Sequence, residues 1–228
     1  MRRWTAALLA AFLLAPGARA QDTDQQQMSD RRATAQEPPA TPERMRANYA
    51  FARCVLGSFQ WSTLVIGAVP FSRSEESSAA TAVRASNSCN GRGRTPPATR
   101  AVLRGIMAEL LLLRDFDVAS GRRLHAPVRR FEMPAGRAFE RLGADSQAAL
   151  LLVQFGECVA RADRAGLARL FATPAATAEE RAALAALGPA LNGCIPQGAT
   201  FSMNARQMRG YLAEGAYRSL AAAAAGNS

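Results

Sequence analysis

The sequence predicts an all-α protein made of two tandem copies of a small module, each copy stapled by its own disulfide and linked by an arginine-rich connector. Three observations predict this architecture. An ordered set of motifs occurs twice, four cysteines fall at matching places in the two sets, and apolar residues follow the helical period while strand patterns are nearly absent. We expect about four helices per copy.

Residues 1–20 have the pattern of a secretory signal peptide. Two arginines precede a short apolar run, and Ala18-Arg19-Ala20 fits the small-x-small cleavage rule. The run is too short to cross a bilayer, which takes about 20 residues. We therefore expect export to the periplasm or the medium, cleavage near Ala20, and no transmembrane segment in the mature chain. Residues 21–42 are polar, contain proline and lack periodicity, which predicts a disordered tail.

The net charge is +10, and arginine supplies all of the basic side chains because the chain contains no lysine. Cleavage would remove Arg2, Arg3 and Arg19 and lower the net charge to +7. This charge favours solubility and weakly indicates an anionic partner. Nucleic acid is not expected as that partner, because the chain is predicted to be exported and carries no nucleic-acid reader motif.

The two copies are predicted at residues 43–116 and 145–228. Phe51-Ala-Arg-Cys54-Val55 matches Phe155-Gly-Glu-Cys158-Val159, and Arg104-Gly105-Ile106-Met107-Ala108-Glu109 matches Arg209-Gly210-Tyr211-Leu212-Ala213-Glu214. Between these motifs, Pro70 matches Pro174 and Glu75-Glu76 matches Glu179-Glu180 without a gap, and one inserted residue later Cys89 matches Cys194. Repetition in register over this length indicates a duplicated unit.

The four cysteines are expected to form disulfides, because their number is even and the compartment is predicted to be oxidising. Three pairings are possible. A duplicated module most simply carries its own bridge, which gives Cys54–Cys89 and Cys158–Cys194. A zinc site would need closer ligand pairs than this chain offers.

Each copy is predicted to begin with an amphipathic helix, at residues 43–59 and 145–162. Short apolar segments follow at residues 64–69 and 167–172. The next helix opens with a Ser/Thr-x-x-Glu capping box, Ser72 with Glu75 and Thr177 with Glu180, and is expected to continue to the second cysteine. The last helix of each copy carries the matched Arg-Gly motif and has one apolar face.

Candidate catalytic residues are scarce, and none is assigned; nor is a cofactor or a metal site. His125 could act as a base near neutral pH, but no nucleophile motif accompanies it, so we interpret it as a surface residue. Glu75-Glu76 and Glu179-Glu180 could be paired carboxylates for acid–base chemistry. Their position at predicted helix N-termini, where acidic residues complement the helix dipole, is a sufficient explanation for them. The loop at residues 91–94 lacks the strand and spacing of a phosphate-binding loop.

The matched arginines and glutamates of the last helices are interpreted as structural. Arg104 and Glu109 lie five residues apart, about 140° around a helix, so they do not face each other. Each is expected to pair with another helix instead, while Gly105 and Gly210 allow a neighbour to approach closely.

The connector, residues 117–144, carries six arginines from Arg122 to Arg141, with only Glu132 and Glu140 against them in that stretch. Arg122, Arg123, Arg129 and Arg130 are the residues that most suggest an anionic partner. A solvated charged linker is the alternative interpretation. Phe131, Phe139 and Leu142 indicate that the connector also packs in part against the helices.

The F-x-x-C-V and R-G-x-x-A-E motifs, with their two cysteines per copy, resemble those of a family of exported bacterial two-repeat helical proteins from GC-rich Gram-negative species. The resemblance spans residues 51–109 and 155–214. It implies export and a helical repeat, and it implies no functional residue. The first copy departs from the pattern, with Phe51-Ala-Arg-Cys54 in place of F-G-E-C.

Three functions remain open on the sequence. The preferred one is a non-enzymatic exported protein that binds an envelope partner through a rigid helical scaffold. The second is a surface-active binder of anionic lipid or envelope polymer that uses the arginine-rich connector. The third is an enzyme of a type that the sequence does not reveal, which a helical scaffold does not forbid.

Overall fold

The computed structural model describes residues 40–57, 65–85, 89, 99–128, 130–198 and 203–226. These residues contain nine α-helices and, in place of any strand, one isolated bridge between Phe116 and Arg123. The helices are α1 (Pro42–Leu56), α2 (Arg73–Ala85), α3 (Arg100–Asp115), α4 (Arg137–Glu140), α5 (Ala144–Ala162), α6 (Arg164–Ala172), α7 (Ala178–Ala186), α8 (Gly188–Cys194) and α9 (Ala205–Gly226). The all-α prediction is confirmed for this part of the chain.

The predicted signal peptide, residues 1–20, and nearly all of the predicted tail lie outside the described residues. Both assignments stay predictions. No helix in the described part of the chain is both long and apolar enough to cross a membrane.

The helix boundaries follow local signals in the sequence. Helix α1 begins where the Thr41 hydroxyl accepts a hydrogen bond from the Arg44 N–H, at 3.3 Å, and proline occupies the first turn. The helix expected to run to Cys194 is in fact two, α7 and α8. The break falls at Leu187, directly before Gly188-Pro189, because proline cannot continue a preceding helix without losing a backbone hydrogen bond.

The core is shared by both halves of the chain. Buried apolar residues of α1 and α3 form one continuous cluster with those of α5, α6 and α9, and α9 packs most extensively, against α3 and α5. Met107, Leu111, Leu212 and Tyr217 are among its fully buried members. The two halves therefore do not have separate hydrophobic cores, which differs from the expectation of two self-contained modules.

Glycines set the distance between the central helices. A Cβ added to Gly105 of α3 would lie 2.7 Å from the Gly210 Cα of α9, and one added to Gly210 would lie 3.1 Å from the Gly105 Cα. Side chains at Gly156 of α5 and Gly215 of α9 would likewise overlap the facing backbone. The prediction that Gly105 and Gly210 lie where another helix comes close is confirmed, and a second glycine pair joins α5 to α9.

Both disulfides have the predicted pairing. Cys54 of α1 is bonded to Cys89, and Cys158 of α5 is bonded to Cys194 at the end of α8, with sequence separations of 35 and 36 residues. Loops of this length correspond to about 3–4 kcal/mol by the chain-entropy estimate. Each bridge therefore fixes the second cysteine of its half to the first helix of that half.

The connector packs against the core, as its apolar residues predicted. Val118, Val128 and Phe131 are buried. The Val128 N–H donates to the Tyr217 hydroxyl at 2.7 Å, and the Arg218 guanidinium donates to the Phe131 carbonyl at 2.9 Å. Its arginines differ in exposure, since Arg122 and Arg123 are exposed, Arg130 is half-buried, and Arg129 lies outside the described residues. The connector is part of the folded unit and not only a solvated linker.

We predict that Gly105→Ala and Gly210→Ala each lower the free energy of unfolding by about 1–3 kcal/mol, because the added methyl group must push two backbones apart. Chemical denaturation monitored by circular dichroism measures the change. Gly193→Ala is the matched control, since a Cβ there meets nothing within 4 Å, and its stability should be unchanged or slightly higher. Equal effects at Gly105 and Gly193 would contradict the close contact.

Candidate functional site

In the part of the chain that the structure describes, a set of charged side chains lies in the core. Arg104 of α3 is buried and binds Glu214 of α9 in bidentate fashion, with Nε to Oε2 at 2.8 Å and Nη2 to Oε1 at 2.6 Å. Its Nη1 donates to Glu75 Oε1 at 2.9 Å and to the Val65 carbonyl at 2.7 Å. Planar guanidinium and carboxylate groups match in this geometry, which makes it one of the stronger polar contacts in proteins.

Arg209 of α9 makes the corresponding contacts in the opposite direction. Its Nε and Nη2 each donate to the Glu109 carboxylate of α3 at 2.7 Å, and Nη1 donates to Glu180 Oε1 at 3.1 Å. Nη2 also donates to the Thr173 carbonyl at 3.0 Å, and the Tyr49 hydroxyl donates to Glu109 Oε2 at 2.6 Å. We call the two sets together the crossed ion pairs.

The crossed ion pairs depend on the glycine contact between α3 and α9. Arg104 and Glu109 point to different sides of their own helix, so neither can neutralise the other. Where Gly105 meets Gly210, each arginine reaches the glutamate of the opposite helix. The prediction that these residues pair with another helix is confirmed.

Glu75 and Glu180 connect the core arginines to two surface turns. One oxygen of each binds the arginine, and the other accepts a backbone N–H, from Phe71 at 2.6 Å and from Ala176 at 2.8 Å. Phe71 and Ala176 both have positive φ, 58° and 64°, which non-glycine residues rarely adopt. The predicted caps are present as well, since Ser72 and Thr177 accept from the N–H of the glutamate three residues on.

Aromatic rings cover the guanidinium groups. Arg104 lies 5.7 Å from the ring centroid of Phe131, and Arg209 lies 5.7 Å from that of Phe171. Arg218 also stacks on Phe131, at 4.2 Å, and binds Glu157 at 2.9 Å. These rings add cation–π attraction and help to exclude water from the ion pairs.

The electrostatics keep the arginines charged and the tyrosines neutral. Burial alone would lower the pKa of Arg104, but the Glu214 and Glu75 carboxylates outweigh it and raise that pKa above its usual value. Glu109 has the same effect on Arg209. Burial, reinforced by Glu109, raises the pKa of Tyr49, and burial with Glu214 raises the pKa of Tyr211 to about 12.

Another buried carboxylate, that of Asp115, organises the start of the connector. It accepts hydrogen bonds from the Tyr217 hydroxyl at 3.0 Å and from Arg114 at 2.6 Å. Burial of the Tyr217 hydroxyl, together with the negative charge of Asp115, raises the pKa of Tyr217. The Asp115 carbonyl accepts the N–H groups of Leu124, at 2.7 Å, and of His125. The end of α3 therefore holds the connector turn against the body of the protein.

The remaining candidates do not form a catalytic site in the described residues. His125 is exposed, as predicted. Glu76 and Glu179 are exposed while Glu75 and Glu180 are buried in ion pairs, so neither pair is an acid–base couple. In the part of the chain that the structure describes, no group of three or more His, Cys, Asp or Glu side chains could hold a metal ion. The loop at residues 91–94 lies outside it.

Sequence reasoning missed several of the residues that complete these clusters. Tyr49, Asp115, Tyr217 and Arg218 were not singled out, because each contacts a partner that is distant in sequence. The available signal for Asp115 was a polar residue on the apolar face of a helix. That pattern indicates a buried, paired group but does not name its partner.

No protein-family model, no curated protein and no solved structure matches the chain.

We predict that Glu214→Gln lowers the free energy of unfolding by about 3 kcal/mol, because it removes one charge of a buried pair and leaves Arg104 with Glu75 alone. Glu109→Gln should act similarly on Arg209. Denaturant titration measures both. The exposed residue Glu76, 4.0 Å from Arg100, is the matched control, and Glu76→Gln should change stability by less than about 0.5 kcal/mol. A loss under about 1 kcal/mol in Glu214→Gln would contradict the pairing.

We also predict that stability falls as pH rises above about 10, the ordinary pKa of tyrosine. All three tyrosines of the chain have raised pKa values in the native state, with Tyr211 at about 12. Between these pH values the unfolded chain loses protons that the native protein keeps, so the native state is stabilised below pH 10 and loses that stabilisation above it. Ultraviolet absorbance should show tyrosinate appearing together with the loss of helical circular dichroism. Gradual ionisation near pH 10 with intact helices would contradict it.

Proposed function

We propose that the protein is a non-enzymatic, exported binding protein whose connector arginines contact an anionic partner in the cell envelope. The observation that carries the proposal is that buried and exposed charged side chains differ in their partners. Every buried charged side chain in the described residues belongs to an ion pair, whereas Arg122 and Arg123 are exposed on the folded connector. Charges available to a partner therefore lie on the surface, and the connector holds a concentration of them.

Export is supported by the covalent structure. The two disulfides use all four cysteines, and such bridges persist in oxidising compartments such as the periplasm and the extracellular medium. The signal-peptide pattern of residues 1–20 agrees with this localisation.

We further infer that the scaffold arose as two copies of one module. Matched contacts support this, because Arg104 with Glu75 corresponds to Arg209 with Glu180, at a constant offset of 105 residues. The positive φ at Phe71 and Ala176 has the same offset. This register pairs Glu75 with Glu180 and not with Glu179, so the inserted residue lies between Pro174 and Ala176. The two-copy proposal also accounts for the matched disulfides.

We predict that replacing Arg122, Arg123, Arg129 and Arg130 with Gln removes most of the binding of the oxidised protein to an isolated envelope fraction at low salt. The expected cause is loss of charge, since screening shortens from about 10 Å at 0.1 M salt to about 3 Å at 1 M. Binding of the wild-type protein should fall with salt accordingly. The thermal midpoint should change little, because exposed charges such as those of Arg122 and Arg123 contribute little to folding.

The matched control replaces four exposed helical arginines, Arg73, Arg161, Arg169 and Arg181, with Gln. It lowers the net charge by the same amount and should keep most of the binding. Equal losses in the two variants would show that net charge alone is responsible, and a wild-type protein that does not bind the fraction would refute the proposal.

A further inference from the structure

We propose that one end of the protein docks on an anionic phospholipid bilayer, with two leucines entering the interface and three arginines binding lipid phosphates. This inference rests on the proposed function and names the partner of that same connector surface. The residues are Leu113, Arg122, Arg123, Leu124 and Arg164, which we call the docking end.

The backbone places the connector residues of the docking end beside the end of α3. The connector turns back on itself, with hydrogen bonds from the Asp117 N–H to the Arg122 carbonyl at 2.9 Å and from the Gly121 N–H to the Asp117 carbonyl at 2.7 Å. Arg123 bridges to Phe116, and the Leu124 N–H binds the Asp115 carbonyl. The turn therefore returns alongside the last turn of α3, which carries Leu113.

Arg164 joins the docking end from a different helix. Gly121 has a φ of 76°, and a Cβ added to it would overlap Nη1 of Arg164, the first residue of α6. The guanidinium therefore lies against the connector turn. The same glycine faces Leu220 of α9, so the turn is packed on the core from beneath.

Two large apolar residues are exposed at this end. Leu113 and Leu124 are 44% and 43% exposed, and they are two of the four large apolar residues that are exposed in the described part of the chain. Exposed apolar residues close to cationic ones are typical of proteins that sit in the membrane interface.

The turn is held in one conformation before any partner arrives. The Asp115 side chain is fixed by Tyr217 and Arg114, and its carbonyl binds the turn. Arg114 and Asp115 neutralise each other, so the charge presented comes from Arg122, Arg123 and Arg164. Asp117 opposes them, and its carboxylate accepts the Ser120 N–H at 3.3 Å. A pre-formed surface loses little conformational entropy on binding.

A bilayer satisfies both kinds of side chain at once. Its phosphates lie at the surface and can bind arginine, and its acyl chains lie just beneath and can accept leucine. The anionic surface of an acidic protein would match the arginines but leave the leucines without an apolar environment. Charge complementarity together with the exposed leucines therefore favours lipid.

The test is cosedimentation of the oxidised protein with vesicles of phosphatidylglycerol and phosphatidylcholine in equal parts at low salt, with pure phosphatidylcholine as the uncharged reference. The wild-type protein should bind only the anionic vesicles. Leu113→Ser with Leu124→Ser should lower the partition coefficient about tenfold. Arg122→Gln with Arg123→Gln should lower it by about fivefold per arginine. Asp117→Asn should raise it severalfold, since Asn can still accept the Ser120 N–H while the opposing charge is gone.

The matched control for the leucines is Phe71→Ser with Leu151→Ser, which removes the other two exposed apolar side chains. Its partition coefficient should equal that of the wild-type protein, and circular dichroism should show that all variants are folded. The inference is overturned if the wild-type protein ignores anionic vesicles, or if the leucine pair at the docking end has no more effect than the control pair. Wild-type protein that ignores vesicles but binds the envelope fraction through its connector arginines would overturn the lipid partner alone. Loss of both kinds of binding would refute the proposed function as well.

Discussion

The contact between α3 and α9 at Gly105 and Gly210 is the constraint on which the rest of the structure depends. A buried ion pair repays its desolvation only when its geometry is good and its remaining polar atoms are bound. The glycine contact provides that geometry, because it brings two backbones close enough for each arginine to grip the glutamate of the opposite helix with two hydrogen bonds. The ion pairs in turn fix the register of the two helices, which apolar packing alone would leave less specific.

The influence of this contact reaches the surface through carboxylates. Glu75 and Glu180 each share their oxygens between a core arginine and a strained turn, so the position of the turn follows that of the helix pair. Strained backbone persists where its surroundings over-determine it. Asp115 plays a comparable part at the end of α3, where it joins Tyr217 of α9 to the connector. The connector turn that carries the exposed arginines is therefore held in place by core residues.

The sequence predicted local features well and long-range partners poorly. Helix α5, the Ser72 and Thr177 caps and the two disulfides follow from signals within one segment or from the repeated motifs. The structural interpretation of Arg104 and Glu109 was correct because helical rotation separates them. Their actual partners, Glu214 and Arg209, could not be derived. The pairing depends on how α3 and α9 cross, and no local sequence pattern predicts that crossing. The shared core was missed for the same reason, as a repeat in sequence does not specify which faces its copies bury.

The exchange of partners between halves has a consequence for the order of events during biosynthesis. Glu214 follows Arg104 by 110 residues, and Arg209 follows Glu109 by 100, whereas the cysteines of the first bridge are only 35 residues apart. Because the chain is made from its N-terminal end, the disulfide between Cys54 and Cys89 can form before Glu214 is available to bury and pair with Arg104. Until α9 has been made and has packed, the face of α3 that it covers stays exposed to solvent, chaperones and proteases. Helix α9, which is made after the other eight described helices, is the one that closes the core.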